Sequence, residues 1–113
     1  MAKIAILSTP AYGHLIPMLG PIAELVRRGN DVVVYNSAEF ETLIRGTGAR
    51  FVAYPPALTP MDFARTLKEG DLLAAYVLLL GATPDLTDFC IGELRNERPD
   101  VVVYDAVASW GYI

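Results

Sequence analysis

The 113-residue chain has one cysteine, one histidine and one tryptophan. A single thiol, Cys90, closes no intrachain disulfide and offers no thiolate cluster to a metal, which fits a reducing cytoplasm. It reads as a small apolar group on a buried helix face. Runs of Lys or Arg are missing and the net charge is −4. Neither nucleic acid nor an anionic membrane surface is therefore expected as a partner. The first strand-to-helix turn, TPAYGHLIPMLG, has neither GxGxxG nor GxxxxGK, so it lacks the glycines of a dinucleotide fingerprint or a P-loop. Asn36 stands where a dehydrogenase holds the ribose with Asp or Glu, and a nicotinamide enzyme is not expected. Ser8, Ser37 and Ser109 have no GxSxG elbow around them, and no HxxxH or CxxC pair is present to hold a metal. MAKIAILSTP carries an apolar run too short for a signal peptide. The run Leu72 to Leu80 is about half of what a membrane span needs.

What is present is apolar: 53% of the residues are hydrophobic. This excludes disorder, and the length suits one small domain with a core. Four continuous apolar, β-branched runs read as parallel strands covered on both faces: Lys3 to Thr9, Asp31 to Asn36, Arg50 to Tyr54 and Asp100 to Asp105. Between the first two, Leu19, Ile22, Ala23, Leu25 and Val26 recur at helical spacing, and Gly29 suits the C-terminal cap. Ser37 is placed to cap a second helix carrying Phe40, Leu43 and Ile44, ended by Gly46 or Gly48. Thr59-Pro60-Met61-Asp62 and Thr83-Pro84-Asp85 each set a cap residue before a first-turn proline. Leu86, Phe89, Cys90 and Leu94 form the buried stripe of the last helix, which Pro99 ends. DVVVYN and DVVVYD look like a repeat, but the helices around them do not repeat, and both answer the same need of a central strand. The expectation is a doubly wound α/β fold with strand order 3-2-1-4.

That order makes the first and fourth strands neighbours, with their following loops opening at the switch point. His14 follows the first strand and Asp105 ends the fourth, so the two should face one crevice. A helix N-terminus favours a neutral imidazole, while a carboxylate on the other ring nitrogen fixes the tautomer and stabilises the imidazolium as a proton arrives. Such a pair is a base and its orienter. A surface or capping role for His14, and an N-cap role for Asp105, remain open on the residues alone.

Several blocks agree with a known pattern in order and spacing. The stretch from KIAILSTPAYGHLIPML through RRGNDVVVY, followed by RPDVVVYDAVASWG, resembles the N-terminal acceptor domain of GT-B glycosyltransferases of family 1, macrolide branch. The resemblance runs over nearly the whole chain and makes residues 1–113 part of that domain, without the C-terminal nucleotide-sugar domain. It implies His14 as general base and Asp105 as its orienting acid, in an inverting transfer from a UDP- or dTDP-sugar to a hydroxyl of a lipophilic acceptor such as a macrolide. Tyr12 and Gly13 would line the cleft beside the base, with Val107 near the acceptor. The region from Pro55 to Leu80, through Met61, Phe63, Leu72, Tyr76 and Leu80, would form an apolar acceptor wall, although core packing explains the same residues. No metal and no cofactor are implied, the nucleotide sugar being a co-substrate. The chain alone is expected to be inactive, and to pair with the remaining part of an enzyme or with itself. A non-catalytic binding or assembly module of the same fold is the rival reading, and a nucleotide-sugar epimerase a second.

Overall fold

The computed structural model describes residues 1–55, 70–105, 108 and 111. Its four strands, β1 (Lys3–Leu7), β2 (Asp31–Asn36), β3 (Arg50–Ala53) and β4 (Val101–Tyr104), pair in parallel in the order β3-β2-β1-β4. The α/β class and the strand order are those read from the sequence. Ile6 is opposite Val34 on one side and Val103 on the other, so the central strand has β-branched neighbours in both directions. Successive residues point to opposite faces. Ile4, Ile6, Val32 and Val34 meet Leu15 and Ile22 of α1 (Tyr12–Arg27), Phe40, and Ile44 of α2 (Glu41–Arg45). Ala5, Leu7, Val33 and Tyr35 meet Ala82, Leu86 and Cys90 of α3 (Leu72–Glu97), together with Tyr54. Cover on both faces is why the strands are continuously apolar. Helices on one face going out and on the other coming back is the arrangement that right-handed crossovers impose.

Three local expectations give way. The first helix begins at Tyr12 and contains Pro17 and Pro21, so His14 lies in its first turn and not in the connection before it. Each proline removes one backbone donor, but the same helix buries Leu15 and Ile22 almost completely. Two such side chains contribute about 1.5–3 kcal/mol each, which works against the local loss. Thr83-Pro84 likewise opens no new helix: α3 runs through it, capped at its start by Asp71, whose side chain accepts a hydrogen bond from the Ala74 amide at 3.0 Å. Ser37 makes no side-chain cap; a 3-10 turn, Ala38–Phe40, leads into α2, and Leu43 is exposed beside the buried Phe40 and Ile44. Of the two glycines offered as its end, Gly48 takes the left-handed conformation (φ +88°), as Gly29 does after α1. The Thr59-Pro60-Met61-Asp62 cap lies outside the described residues.

Running through Pro84 makes α3 long and apolar enough, by length and composition, to cross a membrane. One face of its C-terminal half packs on the sheet, with Leu86 and Cys90 buried there. Burial raises the Cys90 thiol to about 12, so it stays protonated and unreactive.

An ion-pair cluster locks the amino-terminal end of the sheet. Arg50 donates to both oxygens of Asp31 (2.9 and 3.1 Å) and both of Glu97 (2.9 and 3.0 Å), and Lys3 Nζ lies 3.0 Å from Glu97. Hydrogen bonds from Arg50 and then Lys3 hold the Glu97 carboxyl down to about 2. A carboxyl depressed in the folded state adds stability that is complete above its ordinary value of 4.5 and is lost as pH falls towards about 2. Urea unfolding across that window should show a steeper acid loss for the wild type than for Glu97→Gln. Parallel curves would mean the cluster contributes nothing to folding.

Candidate functional site

The carboxyl ends of β1 and β4 lie side by side, and their ladder continues one residue further, with the Asp105 amide donating to the Leu7 carbonyl at 3.1 Å. That bond seats Asp105 just past the strand. From the other side, the turn Ser8 to Ala11 carries the chain from β1 into α1 and sets His14 in the third helical position. His14 Nδ1 and Asp105 Oδ2 are 2.7 Å apart, across 91 residues of sequence. A carboxylate only accepts, so Nδ1 of the neutral ring carries the proton and Nε2 keeps its lone pair. The histidine side chain is 39% exposed and the aspartate 12%. The acid is thus screened behind the ring, and the ring is open to an incoming molecule.

Around this pair, Tyr12 and Gly13 are exposed at the start of α1. The Tyr12 ring stands edge-on to buried Phe40, with centroids 4.8 Å apart. A side chain built at Gly13 would meet nothing within 4 Å, so the fold itself does not require glycine there. Tyr76 lies on α3 with Leu72, Leu73, Val77 and Leu80, all exposed and at helical spacing. The other end of α3 is tied to the amino-terminal end of the sheet through Glu97. At about 1.5 Å per residue the helix is longer than the strands it covers, and this apolar stripe lies towards its amino-terminal end. Met61, Phe63 and Val107 lie outside the described residues. Among those described, no group of three His, Cys, Asp or Glu side chains converges to hold a metal.

One feature was not singled out in the sequence: a buried polar network behind the histidine. Asn36 Nδ2 donates to Ser8 Oγ (2.9 Å) and to the Thr9 carbonyl (3.3 Å), and Asn36 Oδ1 accepts from the Ser37 amide (2.7 Å). Ser8 Oγ donates to the Tyr35 carbonyl (2.7 Å), and Tyr54 OH to the Ser8 carbonyl (2.9 Å). The only signal for it in the sequence is a polar residue ending each apolar run.

The sequence and the fold have counterparts in known proteins. Demethyllactenocin mycarosyltransferase of Streptomyces fradiae is 31% identical over 97% of this chain and 26% of its own length. The NDP-glycosyltransferase YjiC of Bacillus licheniformis is 29% identical over 96% of the chain and 28% of its own. Among solved structures, the glycosyltransferase of kitacinnamycin superposes with a TM-score of 0.78 and 30% identity, over 98% of this chain and 26% of that one. The chain belongs to the family 1 glycosyltransferases. No protein-family model matches it. It spans about a quarter of the length of the curated glycosyltransferases it matches. Its strand order is that of the partial GT-B fold expected from the resemblance, and 4'-demethylrebeccamycin synthase of Lentzea aerocolonigenes is a further relative, 37% identical over 78% of this chain and 20% of its own length.

Proposed function

We propose that this chain forms the acceptor side of an inverting glycosyltransferase active on lipophilic natural products. The hydrogen bond from His14 Nδ1 to Asp105 carries the reading, because it leaves Nε2 as an exposed base. In the proposed step, Nε2 takes the proton of an acceptor hydroxyl while that oxygen bonds to the anomeric carbon of a UDP- or dTDP-sugar. The bond from that carbon to the diphosphate oxygen breaks and its electron pair leaves with the nucleotide. Asp105 stabilises the imidazolium that forms. No cofactor takes part; the nucleotide sugar is a co-substrate. The exposed stripe Leu72, Leu73, Tyr76, Val77 and Leu80 supports an apolar acceptor, bound beside Tyr12 and Gly13. Met61, Phe63 and Val107 complete that wall by resemblance. The donor is bound by a part of the enzyme other than this chain, which alone transfers no sugar. A reducing, cytoplasmic setting agrees with the single buried thiol of Cys90.

Calorimetry on the chain separates the two ligands. A large apolar aglycone should bind weakly, and UDP or dTDP no better than about millimolar, about −4 kcal/mol. Micromolar nucleotide binding would place the donor site here and overturn the division of labour.

A further inference from the structure

His14 depends on the start of α1, and that start has no side-chain cap. The N-cap residue is Ala11, which has no side-chain acceptor, and the first turn holds no acidic residue. The preceding turn is nevertheless fully enclosed, with Ser8 and Thr9 at 0% exposure. Its fixed points come from elsewhere in the fold. Among the described residues Thr9 Oγ1 has no partner, and the turn is held through its main chain and through Ser8. Side-chain hydrogen bonds tie it down: Ser8 Oγ donates to the Tyr35 carbonyl, Tyr54 OH to the Ser8 carbonyl, and the Asn36 amide to both Ser8 Oγ and the Thr9 carbonyl.

Of these, the Asn36 amide uses both ends to join two turns. Its donors hold the turn that leads to His14, and its oxygen holds Ser37 at the start of the turn after β2. The orientation of the amide is settled by its partners, since a carbonyl needs a donor and an amide N–H an acceptor. Phe40 of that second turn is also what the Tyr12 ring leans on, so the two turns are tied at their buried and exposed ends. A buried hydrogen-bonded network of this kind restricts the arrangement of the backbone around it.

We propose that Asn36 is a positioning residue for the His14–Asp105 pair: by fixing the Ser8–Thr9 turn it sets where α1 begins, and so holds His14 Nδ1 on the aspartate. The proposal rests on the reading of His14 as a base, and its test is separable from that reading. His14 is the chain's single histidine, so nitrogen-15 NMR of the chain shows one imidazole and gives its tautomer ratio directly. The wild type should be almost wholly Nδ1-protonated. Asn36→Ala should raise the share of the other tautomer about three- to tenfold, the change that goes with losing one hydrogen bond's usual net preference. Ser8→Ala, which removes a single hydroxyl and should fold normally, should raise it about twofold, a fraction of that same preference. A purely structural role would lower the melting temperature and leave the ratio alone. The wild-type ratio in either folded variant overturns the proposal. In a full-length enzyme carrying Asn36→Ala, kcat should fall about tenfold or more with KM for the acceptor little changed. A shifted ratio with unchanged kcat would leave the positioning intact and remove His14 from the chemistry.

Discussion

In the full-length enzyme, His14→Ala should lower kcat by roughly 10² to 10⁴, the usual worth of a positioned general base, while acceptor affinity changes much less. On the proposed mechanism the cause is specific: with Nε2 gone, the hydroxyl proton has no acceptor as the new bond forms, while the apolar surface proposed to bind the acceptor is unchanged. Asp105→Asn tests the other half. An amide can offer an N–H to the ring where the carboxylate offered only a lone pair, and this draws the proton from Nδ1 to Nε2, closing the base. Comparable substitutions behind a catalytic histidine lower kcat by up to about 10⁴. Circular dichroism should show both variants folded. Near-normal turnover of the His14 variant would sink the mechanism, and loss confined to KM would turn the histidine into a binding group.

Purified alone, the chain should not remain monomeric. Among the described residues β4 is an edge of the sheet, and Val101, Val102 and Val103 are each more than a third exposed, with no Lys or Pro along the strand to discourage pairing. The stripe from Leu72 to Leu80 adds a second exposed apolar surface on α3. Sedimentation velocity should show dimers or larger species at micromolar concentration. Val102→Lys, which puts a charge on the edge, should return most of the material to monomer. In a longer polypeptide the same edge is where further sheet would be added, and coexpression with the remaining part of the enzyme should suppress self-association. A soluble wild-type monomer with low binding of hydrophobic dye would count against this account of the edge.

The sheet was legible because its runs are continuous and β-branched, and because crossover handedness leaves few orders open to four such strands. The same order brought His14 and Asp105 together: once β1 and β4 are neighbours, the residues that follow them meet whatever lies between. Helix limits were harder to read. Pro17, Pro21 and Pro84 are local stop signals, yet all three lie inside helices whose apolar faces are packed on the sheet, and burial outweighed local preference. Ser37 has the composition of a cap, but the nearest acceptor for its amide is the Asn36 side chain, and the chain turns by a 3-10 route instead. Ser8, Asn36 and Tyr54 escaped notice for a different reason. Strand ends are where polar residues are ordinary, and only the parallel register shows that these three converge.

The bond between His14 and Asp105 spans nearly the whole chain, and that separation fixes when the pair can exist. β1, α1 and β2 are close in sequence and can associate early, whereas β4 reaches β1 only after α3 has closed a loop of more than 90 residues. Long closures are among the slower and more easily reversed steps in folding. The His14–Asp105 pair should therefore form late in folding, and a chain whose fourth strand has come away should hold its histidine without direction.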